Sequence, residues 1–195
     1  MTVRVMLVSP AVNADLRQAR FGDDSPLDGA GSLQARAAAG GLPRSDRLMR
    51  AGTRRCRETA GALGLGAAEA VPALGDLDAG RWRGRSLAEV AEAEPGAVAE
   101  WLANPEAAPH GGESVAGLIG RVGDWLAGCT DGRVLAVAEP AAVRAAVVHA
   151  LGLPPQVFWR LDVPPLTLTE LTGGAGRWNL RCGRPLASGL PEPRT

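Results

Sequence analysis

The chain has 195 residues, and its 21 basic and 21 acidic side chains leave no formal net charge. That balance provides no basic surface for nucleic acid or an anionic membrane, and no such partner is expected. The length suits one domain, large enough to bury about two thirds of the surface its unfolded chain exposes.

Every basic residue is Arg, and Lys and Tyr are absent, in a chain rich in Ala and Gly. This pattern fits a GC-rich genome rather than a function. Cys56, Cys129 and Cys182 form an odd set without metal-ligand spacing and read as reduced thiols of a cytoplasmic protein. The start, Met1-Thr2-Val3-Arg4, lacks the apolar core of a signal peptide, and no apolar run approaches about 18 residues.

In chain order, Val3–Val8 is short, apolar and β-branched, as a central parallel strand would be. Residues 9–30, rich in Asp, Gly and Pro, read as a long functional loop. Helices are expected at Gly31–Ala38 and at Thr53–Leu63, the latter capped by Thr53. Ser86-Leu87-Ala88-Glu89 is a capping box, opening a short helix that Pro95 ends. Further helices follow at Ala97–Leu102 and Ser114–Ala127. Arg133–Ala138 is a second buried strand, and Pro140 suits the first turn of a helix running to Leu151. Leu166–Leu171 and Arg177–Leu180 read as closing strands. Strands alternating with helices predict one α/β domain over residues 1–185, with a loose tail at 186–195.

Several segments then fall in a telling order: Val3–Val8 with Ser9-Pro10-Ala11, Ala19-Arg20-Phe21-Gly22, Pro26-Leu27-Asp28 and Gly31-Ser32-Leu33-Gln34-Ala35. Arg55-Cys56-Arg57-Glu58-Thr59-Ala60, Gly80-Arg81-Trp82-Arg83-Gly84 and Gly111-Gly112-Glu113-Ser114 complete it. Across residues 3–182 this resembles the histidine phosphatase (phosphoglycerate mutase-like) superfamily. The resemblance implies a three-layer α/β/α sandwich with a mostly parallel central sheet, and a homodimer in some members. It also implies that an Arg-His-Gly signature falls on Ser9-Pro10-Ala11, and that a second phosphoryl-contacting histidine falls on Glu139. Both histidines of the family site are therefore replaced.

Proline offers neither a nucleophilic atom nor an N–H donor. Glu139 brings negative charge to a pocket built for a dianion, and two unit charges about 4 Å apart at an effective dielectric near 20 interact by about 4 kcal/mol. That is several hundredfold or more in affinity. By the same resemblance Arg55 is a phosphate-binding arginine, Arg20 flanks the substrate, and Asp76 stands for a general-acid glutamate one methylene longer. Asn13 falls where the family often has threonine, and Leu16 where it often has asparagine. Glu113 belongs to a Gly-Gly-Glu-Ser element beside the active site.

No catalytic residue is assigned with certainty. Ser9, Pro10, Ala11 and Glu139 are the degenerate positions, Asp76 and Glu113 the acid–base candidates, and Arg55, Arg20, Asn13 and His110 the ligand-binding set. His110 joins that set from a lid loop, with a structural role as the alternative, and His149 reads as structural. No cofactor and no metal are expected. The five tryptophans read as core or rim. Glu139, at or next to a helix N-cap, is expected to pair with Arg55 and fill the phosphate position with an internal anion. Two functions follow: a catalytically inactive homologue that binds a small anionic ligand or a protein partner, or an enzyme with altered acid–base chemistry at Asp76, Glu139, Glu113 and Arg55.

Overall fold

The computed structural model describes residues 2–22, 24–174 and 176–186. Its centre is a six-stranded sheet. The strands are β1 (Val3–Val8), β2 (Arg47–Arg50), β3 (Glu69–Ala70), β4 (Arg133–Val137), β5 (Thr167–Gly174) and β6 (Arg177–Pro185). They lie in the order β3-β2-β4-β1-β5-β6. β3, β2, β4 and β1 run parallel, β5 runs against β1, and β6 against β5.

The helices are α1 (Ala14–Arg17), α2 (Gly29–Ala38), α3 (Arg54–Ala62), α4 (Leu87–Ala93), α5 (Pro95–Ala103), α6 (Val115–Ala127) and α7 (Pro140–Ala150). α2 and α3 pack together and α3 lies on β2 and β4, while α6 packs on α7, which lies on β5 and β6. This is the expected sandwich. Right-handed crossovers between the parallel strands require it: β1 to β2 to β3 moves toward one edge, and β3 to β4 moves back.

β1 is central and buried along its length except at Arg4. Only one of its neighbours is parallel, however. α7 descends to the amino ends of the strands, and residues 151–166 climb back to the carboxyl ends before β5 begins. β5 must then run downward beside β1.

Local chemistry fixes the ends of these elements. Ser86 and Glu89 form the reciprocal capping box of α4, Thr53 caps α3 and Ser114 caps α6. Each such cap is worth about 1 kcal/mol. Leu186, the first residue of the expected tail, is buried and donates its N–H to the Leu166 carbonyl. Residues 187–195, the rest of that tail, lie outside the described residues.

The main core surrounds the sheet, and a second cluster of Ala79, Trp82, Val90, Val98 and Trp101 lies under α4 and α5. Two glycines bring the loop between α5 and α6 onto this cluster. Gly80 has φ +48°, and a side chain there would strike the His110 carbonyl. A side chain at Gly112 would strike the Asp78 carbonyl. The Gly80-Arg81-Trp82 and Gly111-Gly112-Glu113 elements thus cross backbone to backbone.

Candidate functional site

A cleft of about 930 Å³ opens at the carboxyl ends of β1 and β4, where an open α/β sheet gathers its loops. Pro10 enters it just after β1, Thr53 and Arg55 from the start of α3, Asp76 from the loop after β3, and Glu139 from the end of β4. Backbone bonds hold these entries in register: Ala138 N–H to the Val8 carbonyl, Ala51 N–H to Val137 and Glu139 N–H to Leu74.

Glu139 is 3% exposed and stands at the N-cap of α7. Its side chain does not cap that helix. It turns to α3 instead, where one oxygen, Oε2, accepts from the Arg55 guanidinium. The other, Oε1, accepts from Thr53 Oγ1 at 2.7 Å and from Cys56 Sγ at 3.4 Å. The expected Glu139–Arg55 pair is present, and the helix amides contribute position rather than a hydrogen bond.

Burial opposes the Arg55 cation, yet the adjacent Glu139 carboxylate outweighs it and holds the guanidinium above its ordinary value. Burial, then Glu139, pushes the Cys56 thiol well above the usual range, so it stays protonated and donates. Across the cleft, crowding by protein and then the Glu139 charge raise the Asp76 carboxyl to about 6, with Arg55 and Arg144 pulling the other way. Asp76 is exposed on the cleft wall. The crowding is that of a concave wall rather than full enclosure, and solvent screens part of it.

Residues 11–183 match the family model of the histidine phosphatase superfamily (branch 1). The chain belongs to that superfamily. A glucosyl-3-phosphoglycerate phosphatase of Mycolicibacterium vanbaalenii is 34% identical over 147 residues, which is 67% of this chain and 65% of that relative. The chain therefore matches a little under two thirds of that relative's length. The mycobacterial glucosyl-3-phosphoglycerate phosphatase complexed with VO3 superposes with a TM-score of 0.83 at 25% identity, covering 93% of this chain and 98% of that one. The α-ribazole phosphatase of Shigella flexneri superposes at 0.81 with 17% identity, over 97% and 100% of the two chains, a likeness of fold.

In this superfamily member the other expected site residues divide into those that reach the cleft and those that support it. Ser9 does not line the cleft. It is fully buried, donates to the Pro164 carbonyl at 2.5 Å and accepts from Thr167 N–H at 3.0 Å, tying β1 to the start of β5. Ala11 is also buried, its N–H held by Thr59 Oγ1 at 3.1 Å. Asn13 reaches the cleft wall while its Oδ1 caps α1 at Leu16 N–H, 3.0 Å. Arg20 lines the cleft and braces the loop, donating to the Gly84 carbonyl at 2.7 Å and to Gln18 Oε1 at 2.8 Å.

Two residues are not brought to the cleft. Glu113 takes the Arg121 guanidinium in a fork at 2.8 and 2.7 Å. Arg121 in turn holds the Ala73 carbonyl at 2.8 Å and the Asp76 carbonyl at 3.2 Å. Glu113 thus positions the loop that carries Asp76, which takes it out of the acid–base set. His110 is 1% exposed, inside the aromatic cluster, with its ring centroid 4.9 Å from that of Trp82. Its Nδ1 accepts the Gly112 N–H at 3.0 Å, and burial lowers its pKa, so it is a neutral core histidine rather than a ligand from a lid.

Arg144 lines the cleft from α7, and its Nε donates to the Leu161 carbonyl at 2.7 Å. Its signal in the sequence is its place one turn after Pro140 on the helix that Glu139 opens. Phe21, Trp101 and Trp159 also face the cleft, as an aromatic wall that tryptophan spacing alone does not show. Among the described residues no group of three or more His, Cys, Asp or Glu is placed to hold a metal, and no helix is long and apolar enough to cross a membrane.

Proposed function

We propose that this chain is a histidine phosphatase superfamily member that works without a phosphohistidine, as a binding or regulatory protein built on the cleft. The observation that carries this is the Glu139 carboxylate seated on Arg55, Thr53 and Cys56, where the resemblance puts a phosphoryl group. A dianionic ester would have to displace a satisfied, buried charge pair and then lie beside its carboxylate. Pro10 removes the acceptor of the phosphoryl group as well. The activity named for the mycobacterial relatives therefore lacks its nucleophile in this chain. Two of the three cysteines are buried and none is bridged, which supports a cytoplasmic location as part of the same proposal. A homodimer also belongs to it.

The test is phosphomonoester hydrolysis by purified protein across pH 4–9 beside an Arg55→Ala control. No turnover in either supports the proposal, and turnover that disappears in Arg55→Ala overturns it. A second reading has one observation in its favour. Asp76, raised to about 6 beside Glu139, is suited to proton transfer on a small polar substrate near neutral pH.

A further inference from the structure

We propose that the cleft takes a ligand bearing a cationic ammonium group on an apolar or planar body, held between the aromatic wall and the cleft carboxylates. This rests on the reading that Glu139 closes the phosphoryl seat.

Charge is the first argument. Once the Arg55–Glu139 pair is set aside as neutral, the described residues lining the cleft include four acids, Asp15, Asp24, Asp76 and Asp162. Three arginines, Arg20, Arg83 and Arg144, oppose them, so the balance is four against three in favour of negative charge. Two of those arginines already face acids outside the cleft lining. Arg20 lies 3.5 Å from Glu89 and Arg83 3.4 Å from Asp78, while Arg144 keeps its charge and faces Asp76 and Asp162. On the acidic side, Asp15 Oδ2 is buried without a hydrogen-bond partner among the described residues. A cleft inherited from phosphate-binding proteins has thus lost its excess of positive charge.

The second argument is the wall. The Trp101 and Trp159 ring centroids are 4.3 Å apart at 57°, and Phe21 sits 5.6 Å from Trp101 at 68°. All three side chains line the cleft, and a cation within about 6 Å of a ring centroid is attracted by the negative face of the ring. Asp76 stands near the backbone beside Phe21: a Cβ placed on Gly22 would lie 3.8 Å from Asp76 Oδ2. Aromatic side chains and a carboxylate thus line the same cleft. That combination desolvates an alkylammonium group cheaply and repels a phosphate.

Three probes with a common ring separate the possibilities: benzyltrimethylammonium, benzyl alcohol and phenyl phosphate. Each is titrated calorimetrically into the full chain at pH 8 and low salt. Benzyltrimethylammonium is expected to bind and the other two at least about tenfold more weakly. Trp159→Ala and Asp76→Asn should each weaken the ammonium probe by about three- to thirtyfold. Far-UV circular dichroism and cooperative thermal unfolding check that both variants stay folded, and Trp159→Phe, which retains a ring, should restore most of the binding. Equal binding of benzyl alcohol, tighter binding of phenyl phosphate, no binding of any probe, or unchanged affinity in every variant would overturn the proposal. Phenyl phosphate bound equally by the natural chain and Arg55→Ala defeats only this ligand class, whereas binding lost in Arg55→Ala, or hydrolysis, defeats the reading that Glu139 closes the seat.

Discussion

Replacing Glu139 with Ala removes one half of a buried ion pair and leaves the other half in place. Glu139 is 3% exposed and the Arg55 side chain 12%. The variant strands the Arg55 guanidinium, leaves Thr53 Oγ1 without its acceptor and frees the Cys56 thiol. Breaking a buried pair from one side costs about 3–5 kcal/mol. Because Arg55 also faces the cleft, water reaches the stranded cation, and the lower end of that range is expected. In a domain of this size about 3 kcal/mol lowers the melting temperature by roughly 6–12 °C. The same change empties the seat and uncovers Arg55, so inorganic phosphate should bind the variant and return stability. A ligand at a hundred times its Kd restores about 2.7 kcal/mol. The assay is thermal unfolding of both proteins over a phosphate titration. The natural chain should melt at a temperature nearly independent of phosphate, and Glu139→Ala should melt lower and recover with phosphate. Combined with Arg55→Ala, the two changes should cost less than the sum of the singles, by about 1–3 kcal/mol. A Glu139→Ala variant that melts like the natural chain and ignores phosphate would refute the reasoning.

Asp76→Asn should stabilise the protein at pH 8 and leave it unchanged at pH 4, because a folded carboxyl raised to about 6 favours the fold at low pH and loses that advantage as pH rises through its folded value. Melting curves at the two pH values check this, and a larger gain at pH 4 would reverse the sign. His110→Ala should cost about 2–4 kcal/mol in denaturant unfolding by opening a cavity beside Trp82. Gly112→Ala should prevent folding or lower stability by more than about 3 kcal/mol, since its methyl group meets the Asp78 carbonyl. Glu113→Ala should lower stability by about 1–3 kcal/mol without any response to phosphate, because it releases Arg121 from the loop before Asp76 and leaves the Glu139 seat filled.

Elements whose signal is local were legible in the sequence. β1 and β4 are short runs of buried apolar residues, and the α4 capping box is written in four consecutive residues. β2 and β3 were not legible. Arg47-Leu48-Met49-Arg50 is too short and too charged to read as a strand, and it owes its place to pairing with β4. Glu69–Ala70 has only two residues and exists through its ladder to β2. The Glu139–Arg55 pair crosses 84 positions, and only the family resemblance brought its two residues together. Glu113 and His110 show the opposite limit. Their motif is local, but the backbone crossing at Gly80 and Gly112 sends one side chain to Arg121 and the other into the tryptophan cluster. No pattern along the chain specifies that turn. The aromatic wall is missed for the same reason, since Phe21, Trp101 and Trp159 come from three separate segments.

The central claim is that an internal carboxylate occupies the phosphoryl seat. A crystal structure of the protein grown with vanadate tests it most directly. The account predicts Glu139 on Arg55 and Thr53, with no vanadate between them. Vanadate coordinated by Arg55, with Glu139 swung away, would contradict it.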